Sequence, residues 1–390
     1  MSKNGSSQSA RLAFALLIVE FLDELVDGAR QSAWALVRSD LGLTYTQVGL
    51  LLTLPMLFGN VVEPALSLLG DTRRRRALIL GGGVCFALAC ALVASSRGFW
   101  SLLVAFIVFN PSSGAFVGLS QASLMDSDPA RREQNMARWV FAGSLGVLAG
   151  SVMVGTAVAA NGGWRAAFGA ISIVALVVVL NVRRQPNATR NDSHESETHE
   201  GFIESARAAL RALRNAEVLR WLLLLEVADL MLDGFHGFLA LYFADVVGMT
   251  PARVVLAVAV RSGFGLAGDF LLIPLLERVP GLKYLRGSAL AMLLLFPAFL
   301  FAPGVGLKLV LLALIGVCKS GWYSILKAQL YAALPSRSGA ALALANVTGI
   351  AGSLLPLALG IFAQRFGLAA MMWLLCLSPL ALLFGFETTG

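Results

Sequence analysis

The chain has 390 residues, 57% of them apolar and only 14% charged, with a mean hydropathy of +0.77. So little polar surface excludes a soluble globule and places the chain in a bilayer. The net charge of +7 would suit nucleic acid, but the basic residues cluster at the ends of apolar stretches instead of along one face, so they read as topology signals and no nucleic-acid partner is expected.

A helix needs about 20 apolar residues to cross the hydrocarbon. The sequence predicts twelve spans, at roughly 12–37, 45–69, 77–96, 99–124, 136–160, 164–182, 218–244, 251–276, 286–303, 306–333, 339–362 and 366–386. The expected fold class is all-α integral membrane, with twelve transmembrane helices in two six-helix bundles, 1–183 and 218–390, and a cytoplasmic linker at 184–217. The four cysteines, Cys85, Cys90, Cys318 and Cys376, show no metal-ligand spacing and read as small core residues. The first apolar stretch carries acids at its centre, so it reads as a retained span and not a cleaved signal.

Span 1 places Glu20, Asp23, Glu24, Asp27, Arg30, Gln31 and Trp34 within an arc of about 120° at 100° per residue. One polar stripe on an otherwise apolar helix must face the bundle interior, because a carboxylate in lipid is costly and is kept for an ion path, a proton relay or a ligand. Carboxylates this close in a low dielectric cannot all be ionised, so protons are expected to bind and leave them near pH 7. Arg30, three residues after Asp27, shares its face and is expected to pair with it.

Span 2 carries Asn60, Glu63 and Ser67 along one side, with Pro55 and Pro64 expected to bend it. The loop after it, Gly70-Asp71-Thr72-Arg73-Arg74-Arg75-Arg76, reads as a gate latch and a topology anchor. Span 4 offers Asn110, Ser112, Ser120 and Gln121 as neutral hydrogen-bonding groups. Span 5 contains Gly146-x-x-x-Gly150 with Gly143 and Gly155 nearby, a spacing that lets helices approach closely. The segment before span 6 reads Gly163-Trp164-Arg165-Ala166-Ala167-Phe168. In the linker, the alternation of apolar residues with Arg207, Arg211 and Arg214 predicts an amphipathic helix at the membrane surface.

Span 7 repeats span 1. Glu20-x-x-Asp23-x-x-x-Asp27-Gly28-x-Arg30 returns 206 residues later as Glu226-x-x-Asp229-x-x-x-Asp233-Gly234-x-His236. The register continues, since Leu41-Gly42-Leu43-Thr44 aligns with Val247-Gly248-Met249-Thr250 and Glu63 with Asp269. Asp233 and His236 share a face, and the imidazole's ordinary titration range suits a proton switch. Span 8 adds Arg261 and Asp269, which with Glu63, Asp71 and Arg73 form the predicted gate groups. The symmetry breaks in span 10, where Lys319, Tyr323 and Lys327 at i, i+4 and i+8 share a predicted face, the two lysines being aligned with the neutral Ser112 and Ser120 of span 4. Those lysines either neutralise the acids or bind an anionic group of a substrate.

Arginine and lysine favour the N-terminus (Lys3, Arg11) and the loops after spans 2, 4 and 8, whereas Arg38, Arg97, Arg165, Arg253, Lys308 and Arg365 stand nearly alone in the opposite loops. Both termini are therefore expected in the cytoplasm, in a bacterial inner membrane. An even number of spans per half makes the halves parallel repeats.

This organisation, the acid-then-bases loop after span 2 and the Gly163–Phe168 segment together resemble the major facilitator superfamily over the whole chain. The resemblance implies that spans 1, 4, 7 and 10 line a central cavity. It departs where the loop has Ser67 and Arg74 in place of glycines.

The resulting expectation is a secondary active transporter of a small polar or amphipathic, cationic solute, working by alternating access and proton antiport as an exporter. Proton-coupling and substrate groups are Asp23, Glu24, Asp27, Arg30, Asp229, Asp233 and His236; the surrounding cavity takes Glu20, Glu226, Trp34, Asn110, Gln121, Lys319, Tyr323 and Lys327. The expected partners are a small-molecule or ion substrate, protons and membrane lipid, with the monomer as the working unit. No phosphate-cradling loop ends in Gly-Lys-Ser/Thr, so neither ATP nor another cofactor is expected. Alternatives are a divalent-metal carrier, using the acids and His236 as ligands, a lipid, lysolipid or organic-anion carrier, and a non-transporting membrane sensor.

Overall fold

A computed structural model describes residues 3–70, 74–127, 132–184, 215–333 and 352–385. The described residues are helical throughout, without a strand. Among the described residues, eight helices are long and apolar enough to cross a membrane: Tyr45–Glu63, Arg75–Ser95, Phe99–Met125, Arg138–Ala159, Gly163–Arg183, Pro251–Leu276, Gly281–Phe301 and Val305–Leu330. These are spans 2 to 6 and 8 to 10. Span 1 is a longer helix, Lys3–Leu41, whose charges set it apart from the others. Span 7 runs from Ala216 to Val246, and Leu355–Phe366 and Leu368–Phe384 are shorter apolar segments of spans 11 and 12. Most of predicted span 11 and of the linker helix, with Asp71 and Arg73, lies outside the described residues.

The chain divides into two compact units, Met1–His194 with Thr250–Leu256, and Glu195–Met249 with Ala257–Gly390. Within the first, span 1 packs on span 5, span 2 on span 4 and span 3 on spans 4 and 6. Within the second, span 7 meets spans 11 and 12, and span 9 meets spans 10 and 12. Large apolar side chains such as Trp100, Phe141, Ile173, Phe270, Leu294, Phe301 and Phe384 are exposed, an arrangement stable against lipid and not against water.

Local signals explain the helix ends. Thr44 and Gln47 form a reciprocal capping box at the start of span 2: the Gln47 backbone N–H donates to Thr44 Oγ1 at 3.1 Å and the Thr44 N–H to Gln47 Oε1 at 2.9 Å. The turn before it holds Gly42 at φ +60°, and its repeat partner Gly248 stands at +73° before span 8. Both turns need the left-handed region, which glycine enters without strain. The 206-residue repeat therefore extends to backbone conformation.

The span 1–span 5 contact depends on missing side chains. A methyl on Gly146 would lie 2.4 Å from the Phe21 carbonyl oxygen, one on Gly150 2.1 Å from that of Leu25, and one on Gly28 2.0 Å from that of Val147. The helices touch backbone to backbone, as the glycine spacing predicted. Ser32 Oγ donates to Ser151 Oγ at 2.9 Å across this seam, both side chains being buried.

Two of the bases that stand nearly alone in their loops make structural contacts. Arg165 pairs with Asp40 at the end of span 1 and donates to the Ser96 carbonyl at 2.9 Å, while Trp164 Nε1 donates to the same Asp40 at 3.1 Å. The Gly-Trp-Arg segment thus ties the ends of spans 1, 3 and 6. Lys308 is buried, its Nζ donating to the carbonyls of Phe299 at 2.7 Å and Leu300 at 3.1 Å and to Tyr242 Oη at 3.1 Å. It satisfies the orphan carbonyls that end span 9 and sits against the Tyr242 and Phe299 rings.

Candidate functional sites in each half

In the first half the polar stripe of span 1 divides between two neighbouring spans and its own helix. Glu20 and Glu24 lean on the glycines of span 5: Glu20 Oε1 lies 2.7 Å from where a Gly143 methyl would sit, and Glu24 Cβ lies 2.9 Å from that of Gly146. Glu20 is 8% exposed. Asp23 turns to span 4, where Ser113 Oγ donates to its Oδ1 at 2.7 Å. Asp27 stays on its own helix, ion-paired with Arg30 and accepting from the Gln31 amide, so the expected pairing with Arg30 is present.

Glu63, expected at a gate, stands close enough to act electrostatically on Asp23, together with Asp27 and Arg30. Its side chain lies against Gly114, 2.8 Å from where a methyl would be, and its carboxylate approaches Gly59. Asn110 borders the same Gly59, with its Cβ at 3.4 Å from the methyl position. Gln121 is half-buried one turn past the distortion described next. Trp34 does not line a cavity. It is 2% exposed and packs on Phe106 with ring centroids 6.0 Å apart, because its large apolar area outweighs its single polar N–H.

Span 4 is distorted where it meets these acids. The helix Phe99–Ser113 gives way to a π-helical turn, Gly114–Gly118, before continuing as Leu119–Ser127. Pro111 lies inside the first segment, and π turns are frequent at functional sites. Ser112 and Ser120, the hydroxyls singled out from spacing, spend their hydrogen bonds on the carbonyls of Val108 and Phe116, each at 2.6 Å. Ser113, which spacing missed, is the one that reaches span 1.

The second half keeps the repeat and alters its chemistry. Glu226 Oε2 lies 2.8 Å from the methyl position of Gly352 in span 11, matching Glu20 on Gly143 in span 5. Span 7 itself departs from span 1: π turns at Leu230–Gly234 and Tyr242–Val246 interrupt it, so Asp229 and Asp233 are no longer separated by one regular α-turn. Asp229 is half-buried, with the charges of Asp233 and Glu226 acting on it, and Asp233 is exposed. His236 Nε2 contacts Arg261 Nη2 of span 8, a cross-helix contact.

Span 10 is not one helix. Val305–Cys318 ends at Lys319, Gly321 takes φ +78°, and Trp322–Ala332 resumes. The predicted common face of Lys319, Tyr323 and Lys327 is therefore broken, because a regular 100° step holds only within an unbroken helix. Lys327 Nζ donates to Tyr323 Oη at 2.6 Å, and Lys319 stands apart at the break. Asp269 braces that break, interacting with the Ser320 side chain and the Gly321 backbone while its charge acts on Lys319. Glu63 on Gly114 and Asp269 at Ser320 are the same contact in the two halves, since 269 − 63 and 320 − 114 both equal 206. By the same offset Ser113 corresponds to Lys319.

Among the described residues no three His, Cys, Asp or Glu side chains gather with metal-binding geometry, which leaves the divalent-metal alternative without a ligand set there. Charged groups held inside bundles of apolar helices mark functional positions in an integral membrane protein. The chain belongs to the Major Facilitator Superfamily, whose family model matches residues 16–356.

No curated protein matches the chain. Among solved structures it is similar to a bacterial homolog of the human lysosomal transporter Spinster in an inward-facing, unoccupied conformation, at 15% identity and a TM-score of 0.76 over 99% of this chain and 95% of that one. It is also similar to the nucleoside transporter NupG, at 14% identity and 0.74 over 96% and 97%. A third is the POT family transporter PepTSo, at 12% identity and 0.72 over 96% and 97%. At such identities the likeness shows the fold alone.

Proposed function

We propose that the protein is a secondary active transporter that exchanges protons for a small polar or amphipathic cationic solute by alternating access. The observation that supports this most directly is the charge imbalance in the first half. Glu20, Asp23, Glu24, Asp27 and Glu63 belong to one helix stripe and its neighbour, and the base acting on Asp23 and Glu24 is Arg30. Such a group of acids inside a bundle is neutralised by protons or by a cationic ligand. Both compete for the same oxygens, and that competition is the chemistry of antiport. Asp23 and Asp27 are the central pair, Glu20 and Glu24 a second pair against span 5, and Asp229 with Asp233 their counterparts in the second half. Both termini lie on the cytoplasmic side, by the lysine and arginine bias, and the direction is efflux.

The test is proton release on binding. Purified protein in a weakly buffered detergent solution is titrated with tetraphenylphosphonium while a pH indicator is read. Wild type acidifies the solution stoichiometrically with binding, and Asp23→Asn, which removes the carboxylate that Ser113 holds, does not. Saturable binding without acidification would rule out competition between protons and the cation.

A further inference from the structure

We propose that the second half carries a binding site for an anionic group of the transported solute, a carboxylate or phosphate, built from Arg261, His236 and Lys319. The proposal rests on the transporter reading, and the cationic moiety proposed above would be carried by the same solute or by a second one.

Arg261 lies inside span 8 and is only 4% exposed. Its Nη2 meets His236 Nε2. A guanidinium has donors only, so a hydrogen bond at this contact needs the imidazole Nε2 as its acceptor. That contact satisfies an N–H without supplying negative charge. Lys319 is brought to the same level by the break in span 10. The neighbouring Ser320 Oγ donates to the Gly265 carbonyl of span 8 at 3.2 Å, one turn beyond Arg261, and Gly316 lets span 10 approach the Arg261 backbone, its methyl position 3.0 Å from that carbonyl. The charges acting on Lys319 include Arg261 itself.

Two strong bases and an imidazole on spans 7, 8 and 10 thus converge within the membrane, where like charges repel strongly unless an anion lies between them. The acids nearby are Asp233 and Asp269, which both act on Lys319. Asp269 is engaged by Ser320 and the Gly321 backbone. Asp233 is exposed, and an incoming oxyanion competes with it for Lys319. Arginine's planar fork suits a two-oxygen acceptor, and lysine adds a point charge. In the first half the positions 206 residues earlier hold Pro55, Arg30 and Ser113, so this basic grouping belongs to the second half alone.

The full-length protein in maltoside micelles is challenged with octanoate, with inorganic phosphate, and with octyltrimethylammonium as the opposite charge, and the unfolding midpoint is followed. Octanoate or phosphate raises the wild-type midpoint, the first pointing to an amphiphilic carboxylate and the second to a small oxyanion. Lys319→Gln weakens that response by about ten- to hundredfold in apparent affinity, as loss of a charge-assisted bond requires. Asp27→Asn keeps the anion response and loses the octyltrimethylammonium response, so failure of the cation reading and failure of this one are separable. Arg261→Gln tests the second base where it folds, and Lys319→Gln decides where it does not. No response of wild type to either anion, or a full response in Lys319→Gln, overturns the proposal.

Discussion

The Ser113 hydroxyl donates to Asp23 Oδ1 at 2.7 Å, joining span 4 to span 1 immediately before the π-helical turn Gly114–Gly118. This hydrogen bond links the acidic stripe directly to a distorted helix.

Replacing Ser113 with alanine removes the donor and leaves a half-buried carboxyl oxygen short of a partner, at a cost of about 1–3 kcal/mol. The unfolding midpoint falls and cation binding weakens, while Ser113→Thr, which keeps a hydroxyl, restores much of both. Thermal unfolding and ligand titration of the two variants check this. Equal behaviour of alanine and threonine would assign the effect to packing.

Asp27 and Arg30 act as a pair. Asp27→Asn leaves the guanidinium without its carboxylate partner on the same helix, and Arg30→Gln adds an uncompensated acid to an already acidic stripe. Each single variant is less stable than wild type, and the double variant recovers about 0.5–3 kcal/mol relative to the sum of the two. Denaturation of all four proteins gives the coupling. Transport driven by a pH gradient stays absent wherever Asp27 is missing.

Span 1 and span 5 separate if the seam acquires a side chain. Gly146→Ala places a methyl 2.4 Å from a carbonyl oxygen, which forces a backbone shift costing about 1–3 kcal/mol. Gly81→Ala in span 3, where nothing lies within 4 Å, is neutral or stabilising by up to about 1 kcal/mol. The difference in unfolding midpoint between these two chemically identical changes is the measurement.

Lys308 holds the end of span 9 and carries no proposed transport role. Lys308→Met keeps the apolar stem but strands two carbonyls and the Tyr242 hydroxyl, lowering stability by about 1–3 kcal/mol. The substrate affinity of the protein that remains folded is unchanged. A binding defect larger than the stability defect would move Lys308 into the transport path.

Composition and hydrophobic periodicity were enough to determine the all-helical membrane class, because a chain this apolar must satisfy its backbone polar groups within helices. The duplication was equally legible. Its constant 206-residue offset gave the Glu20/Glu226 and Asp23/Asp229 correspondences and aligned Gly42 with Gly248, and the three-residue spacing of Asp27 and Arg30 gave their pairing. The span 5 glycines also announced a close helix contact through spacing alone.

What sequence could not give was the partner of each polar group and the places where helices depart from regularity. Ser113, not Ser112, reaches Asp23; Trp34 is core; His236 meets Arg261; and Lys319 is parted from Lys327 by Gly321. A wheel drawn at 100° per residue assumes an unbroken α-helix, and spans 4, 7 and 10 are interrupted where their polar residues lie. Those interruptions and cross-helix contacts join residues from 25 to 90 positions apart, as in His236–Arg261 and Asp23–Ser113, so only tertiary packing decides which hydroxyl, carboxylate or guanidinium completes each hydrogen bond.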